Sequence, residues 1–174
     1  MAIIHKKIKI MKSKSLKIAT VILLICCSSV AANAQNSFNI SGSWSLDSAK
    51  SEMNRLPLKV ASQKLNMELA GNMLKINSVN GNINNRYQNS LDGKPATVST
   101  ASGSSITSTI IRDGSILKRE LKVSEPNKPE NLMYNRLEIW TLSADGQLLT
   151  IKQLVKPGSG QGDYSFTAVY QKDK

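Results

Sequence analysis

The feature that most constrains this 174-residue chain is an apolar–polar alternation of period two that runs through most of residues 38–172. Phe38, Ile40, Gly42, Trp44 and Leu46 alternate with Asn39, Ser41, Ser43 and Ser45, while Leu65, Met67 and Leu69 alternate with Lys64, Asn66 and Glu68. Successive side chains of a strand point to opposite faces, so this pattern describes strands with one dry face and one wet face. Turn pairs punctuate it at Gly71-Asn72, Asn80-Gly81, Asp92-Gly93, Ser102-Gly103, Asp113-Gly114 and Asp145-Gly146. Most are Asx-Gly pairs, whose positive φ angles suit two-residue hairpins, so consecutive strands are expected to be antiparallel neighbours.

The runs between turns predict ten strands, at 38–46, 60–70, 73–79, 83–91, 95–100, 104–112, 115–124, 133–143, 147–155 and 164–172. Two connections are longer. Residues 47–59 have room for a short helix or an irregular loop. Residues 125–132 hold Pro126 and Pro129 and read as a loop, because proline donates nothing to a β-ladder. An all-β, antiparallel, up-and-down meander of 8–10 strands must protect its edges, and closure into a barrel removes them. A two-sheet sandwich competes, but it usually needs longer crossovers than these hairpins supply. No repeat of fixed period recurs, which disfavours a propeller.

Charge divides the chain in two. All six basic residues before residue 35 are lysines (Lys6, Lys7, Lys9, Lys12, Lys14, Lys17) with no acid among them, and His5, Cys26 and Cys27 fall in the same stretch. A basic region, the unbroken apolar run 18–27 and the small-residue site Ala32-Asn33-Ala34 form the order of a secretory signal peptide. The apolar run is shorter than the ~20 residues a spanning helix needs. Ile25 and Cys26 precede the two cysteines where a lipid-attachment site wants a small residue. The expectation is therefore a signal peptide over 1–34, cleaved after Ala34, with Met11 a possible start, and a single domain over 35–174. The mature chain is expected in the periplasm or outside the cell, without disulfides and without stable membrane insertion.

The inward faces of the predicted strands are partly polar. Arg119 shares a face with Leu117, Leu121 and Val123; Asn85 and Asn89 share one with Ile83, Tyr87 and Leu91; Gln153 sits beside Leu149, Ile151 and Val155. The last strand groups Tyr164, Phe166, Ala168 and Tyr170. A sealed core would have to satisfy each polar group internally, whereas a cavity or a bound ligand satisfies them directly. A one-residue slip of register would instead turn any of them outward.

Gly42-Ser43-Trp44, a G-x-W on the first strand of a predicted up-and-down barrel, resembles the lipocalin and wider calycin pattern. Trp140-Thr141-Leu142-Ser143-Ala144-Asp145-Gly146 adds a likeness to small exported bacterial proteins of lipocalin-like type. The resemblance implies that Trp44 plugs one end of the barrel, that Gly42 belongs to the plug, and that a basic residue near the end of the last strand, here Lys172 where the family usually has arginine, packs across it. It further implies a barrel that binds a small, mostly apolar ligand.

Several chemistries are excluded or disfavoured. Beyond residue 34 there is neither histidine nor cysteine, which removes Ser-His-Asp and Cys-His catalysis and the usual zinc ligands. Ser115-Ile116-Leu117-Lys118 has the S-x-x-K spacing, but on a strand the serine and lysine point to opposite faces. Glu120 and Glu138 are a conceivable glycosidase pair, although Glu120 alternates with Lys118 and Lys122 on the wet face. Gly158–Asp163 opens no helix and so lacks the amide cluster of a phosphate loop. The Asn80–Asn84 amides have no carboxylate to hold calcium. The remaining 17 basic and 12 acidic residues are scattered, which argues against nucleic acid as a partner.

The expectation is a monomeric, non-enzymatic binding protein without metal or cofactor, holding a small hydrophobic or amphipathic molecule. Arg119, Tyr87, Asn85, Gln153, Phe166 and Tyr170 are the candidate ligand contacts, with Arg119 meeting an anionic end. The alternative is a structural or interaction protein of the cell envelope with a filled barrel. An interior cavity of several hundred Å³ would separate the two.

Overall fold

The computed structural model describes residues 38–57, 60–100 and 102–174; the segment read above as an export signal lies outside the described residues. Ten strands follow in order: β1 Gly42–Leu46, β2 Lys64–Ala70, β3 Met73–Asn80, β4 Ile83–Ser90, β5 Ala96–Ser99, β6 Ser105–Asp113, β7 Ile116–Glu125, β8 Lys128–Leu142, β9 Leu148–Pro157 and β10 Tyr164–Lys172. They form one antiparallel sheet in which β1 pairs with both β2 and β10, so the first and last strands join the two halves of the meander. No strand leaves for a second sheet, which removes the sandwich.

The barrel is nearly closed, and its one discontinuity lies between β4 and β5. At the carboxyl end of β4 the chain is stitched to β6 instead. Asn89 Nδ2 donates to the Ser108 carbonyl (2.8 Å), Gly93 N to Ile110 O (2.9 Å) and Arg112 N to Leu91 O (3.1 Å). The described residues of 47–63 contain no α-helix and follow the irregular-loop alternative. Glu52 and Thr167 exchange backbone hydrogen bonds (2.8 and 2.9 Å), and Met53 and Ala61 are buried beneath the loop.

Three local expectations are corrected. At two hairpins the ladder closes one residue later than an Asx-Gly centre requires. The pairs Asn80/Ile83 and Asp113/Ile116 leave Gly81-Asn82 and Gly114-Ser115 as the two-residue loops, while Ala70/Met73 leaves Gly71-Asn72, the pair expected. Glycine leads each, with φ near +60° (58°, 58° and 61°), as a type II′ turn demands. Residues 125–132 are a hairpin tip rather than a long loop. Pro126, with its fixed φ, precedes Asn127 at φ 59°, the proline–asparagine order of a type II turn. Pro129 is tolerated inside β8 because pairing there is already irregular, with register shifts on either side of Ser124, so no ladder bond is lost. Finally, Ile83 and Tyr164 are 61% and 40% exposed, since each begins its strand beside a turn.

Most of the interior is apolar. Trp44, Ile40, Leu74, Leu149, Leu117 and Tyr170 are among its fully buried side chains, and they join Phe38, Ile151 and Phe166 in one cluster. A smaller cluster of Ile106, Leu121 and Val123 lies toward the β4–β5 discontinuity, bridged to the first by Tyr87 and Tyr134.

Candidate functional site

Register decides which polar side chains meet. Ile110, Arg119, Glu138, Gln153 and Phe166 are successive cross-strand partners on β6 to β10, so one row of the inner face carries a guanidinium, a carboxylate and an amide side by side. The next row places Arg136 opposite Leu121 and Val155. Side chains directly opposite across an antiparallel pair lie ~5 Å apart, so the charges are in contact by construction.

Arg119 and Glu138 are each 3% exposed. Glu138 Oε2 accepts from Trp140 Nε1 (2.8 Å) and lies 3.6 Å from Arg119 Nη1. Glu138 Oε1 is 2.9 Å from Arg136 Nε. Arg119 Nε donates to Ser108 Oγ (3.0 Å), and its guanidinium stacks 4.5 Å above the Tyr87 ring, with the Trp140 ring at 6.0 Å. Arg119 Nη2 and Gln153 Oε1 are buried and have no protein partner. Two guanidiniums thus face one carboxylate, leaving one positive charge in excess.

Burial lowers the Arg119 pKa while Glu138 opposes the shift. For Arg136, burial again works against the charge, but Glu138 and the neighbouring tyrosines outweigh it and the pKa rises. Both remain protonated, as arginine does in proteins. Burial raises the Tyr87 phenol against the pull of Arg119, and burial together with Glu138 raises that of Tyr170.

The sequence candidates fall into different places. Arg119, Gln153 and Tyr170 surround one small cavity of about 40 Å³, together with Arg136, Glu138, Ser62 and Ser78. Phe166 is buried beside Gln153 and presents only its ring. Tyr87 lies against Arg119. Asn85 is half-buried away from this cavity and lines a recess of about 540 Å³ at the β4–β5 discontinuity, with Ile83, Val98, Thr100 and Ile106. A recess of about 640 Å³ is bordered by the inward residues Met67, Ile76, Tyr87 and Val98 together with Gly42, and by their outward neighbours Asn66, Glu68, Lys75, Arg86 and Gln88, so it touches the inner face of the barrel as well as its rim.

Glu120 faces outward and accepts from Asn135 Nδ2 (3.1 Å), whereas Glu138 faces in; the conceivable glycosidase pair is split between the two sides of the sheet. Arg136 and Ser108 were not among the sequence candidates. Both carried a signal: Arg136 shares the alternation of Tyr134, Glu138 and Trp140, and Ser108 that of Ile106 and Ile110. Among the described residues no group of three His, Cys, Asp or Glu could hold a metal ion, and no helix is long and apolar enough to cross a membrane.

Trp44, Gly42 and Lys172 come together where β1 pairs with β10. Trp44 is fully buried, its Nε1 donates to Ile40 O (3.0 Å), and Lys172, its partner on β10, places Nζ 5.4 Å from the ring centroid. A Cβ on Gly42 would stand 2.8 Å from Lys172 Cε, and its φ of 133° is one that side chains rarely adopt. Glycine at this position gives the lysine stem its path to the tryptophan.

The fold so defined is the calycin type of barrel, ten strands in a nearly closed meander. Solved structures with the same fold include a fatty acid-binding protein of Drosophila melanogaster brain (16% identity over 76% of this chain and 99% of that one, TM-score 0.52) and human cRBP IV (14%, 78% and 98%, 0.52). The REP1-NXSQ fatty acid transporter is a third (15%, 78% and 96%, 0.52). At such identities the likeness establishes architecture. No protein-family model matches the chain, and no curated protein does.

Proposed function

We propose that the mature chain is an exported, monomeric, non-enzymatic binding protein that takes a small amphipathic molecule into its barrel, with an anionic end at Arg119. One observation carries this reading: Arg119 and Arg136 share a single carboxylate, so the interior holds an excess positive charge whose burial is costly and which an anionic head group would neutralise. The solved neighbours described as fatty acid carriers make a ligand of that class the natural first probe.

Val98 and Ile106 line the recess between β4 and β5 and belong to the same apolar cluster as Tyr87. An apolar tail lodged there would point its head at Arg119 once the Tyr87 ring swings aside. A charge-assisted contact in this setting is worth about 1.5–3 kcal/mol. Arg119→Ala is therefore expected to keep the fold and to weaken binding of dodecanoate by about 10-fold or more. Equal affinity in both proteins would sink the proposal. Export is checked separately, by amino-terminal sequencing of the secreted chain, which is expected to begin at Gln35.

A second reading, a filled barrel acting through its outer surface in the envelope, draws support from the cavity of only about 40 Å³ at the charged row. It predicts no saturable binding of any lipid, acidic or neutral.

A further inference from the structure

We infer that the 40 Å³ cavity beside Arg119 is a binding site for a small monovalent inorganic anion of the halide class. Three features converge on it. The charge balance around the cavity is positive, because Arg119 and Arg136 are opposed by Glu138 alone. Arg119 Nη2 is buried without a protein partner, and an N–H so placed needs an acceptor. Besides the Glu138 carboxylate, the cavity walls present neutral groups able to donate: the Tyr170 hydroxyl, the Gln153 amide and one proton of the Ser62–Ser78 pair, whose hydroxyls share a hydrogen bond of 2.6 Å. The amide oxygen of Gln153 is likewise unpartnered, and a half-turn of the amide brings Nε2 to face the anion.

Size selects the class. A cavity of about 40 Å³ holds an object of one or a few water volumes, which suits a halide and excludes an acyl chain. Glu138 does not compete for the site, since both its oxygens are engaged by Arg136, Trp140 and Arg119. The anion neutralises the excess charge in the closed barrel, and the acidic head of a larger ligand would have to displace it. Only this last clause rests on the function proposed above; the anion site itself does not.

Crystals of the mature chain soaked in sodium bromide give the direct test. An anomalous peak is expected within hydrogen-bond distance of Arg119 Nη2, absent in Arg119→Met. In solution, replacing gluconate by bromide at fixed ionic strength should raise the melting temperature of the native chain by about 5 °C or more once bromide stands ~100-fold above its dissociation constant. Arg119→Met should show no such rise, and Lys94→Met, a surface control, should keep it. Peaks confined to surface lysines (an adventitious ion only) or a water in the cavity would overturn the inference, as would identical melting in the two salts.

Dodecanoate binding tells the two proposals apart. If both hold, bromide at ~10-fold above its dissociation constant raises the apparent Kd for dodecanoate about 10-fold. Bromide at Arg119 without any dodecanoate binding removes the carrier function alone. Dodecanoate binding that ignores bromide, with no anomalous peak, removes the anion site alone.

Discussion

Around Trp44 the barrel interior is built from Ile40, Leu74 and Leu149, fully buried and closed by the Lys172 stem. Around Glu138 the same inner face carries two guanidiniums, a carboxylate and two unpartnered polar atoms. The first region is organised for stability, since each large apolar side chain removed from water contributes on the order of 1.5–3 kcal/mol. The second gives up part of that gain, because buried charge recovers its desolvation cost only when fully paired. One alternating pattern thus supports an inert plug and a reactive row, and what separates them is the identity of a few inward side chains.

The contrast can be broken most severely from the plug side. Trp44→Ala should destabilise by about 3–5 kcal/mol, read as a lowered urea midpoint at unchanged slope. Next comes the asymmetry within the charged row. Glu138→Gln strands two arginines and should cost about 3 kcal/mol or more, while Arg119→Met leaves Glu138 paired with Arg136 and should cost less than about 1.5 kcal/mol. Equal losses for the two would refute the excess-charge description. Gly42→Ala, which forces a Cβ against Lys172 Cε at unfavourable φ, should cost about 1–3 kcal/mol, and Lys172→Ala in the same chain should recover part of it.

The smallest effects are those of pH. Tyr87 and Tyr170 have raised folded-state pKa values. A raised pKa means that the folded chain holds its proton more tightly, so this stability is present below about pH 10 and is lost as pH climbs through the folded values. An ultraviolet titration should show Tyr87 and Tyr170 ionising late, and at lower pH after unfolding in urea. Asp92 runs the other way. Its exposed carboxylate, held by Ser90 and Lys94, is lowered to about 2, so its contribution is present above about pH 4 and fades as pH falls toward 2. Asp92→Asn should flatten that part of the acid-stability profile slightly.

Much of the architecture was legible because alternation is local. The period-two runs identified ten strands and put Arg119, Gln153, Phe166 and Tyr170 on inward faces, and the structure places all four inside. Asn85 was grouped with them by the same rule, yet it lies at the β4–β5 recess, because no single strand announces where the sheet fails to close. Arg136 shares the alternation of Trp140, but nothing local in the sequence singles it out. In sequence Glu138 suggests only a partnership with Glu120 across a loop. Its actual neighbours, Arg119 and Gln153, lie 19 and 15 positions away in sequence and adjacent in the ladder.

By itself, then, the sequence determined strand number, antiparallel order and which side chains face inward, since these follow from backbone geometry within a few residues. Only the tertiary structure decided the hairpin centres, the closure of β1 on β10, the site of the gap and the meeting of two arginines over one carboxylate. Those depend on cross-strand register, where a shift of one residue would exchange every partner.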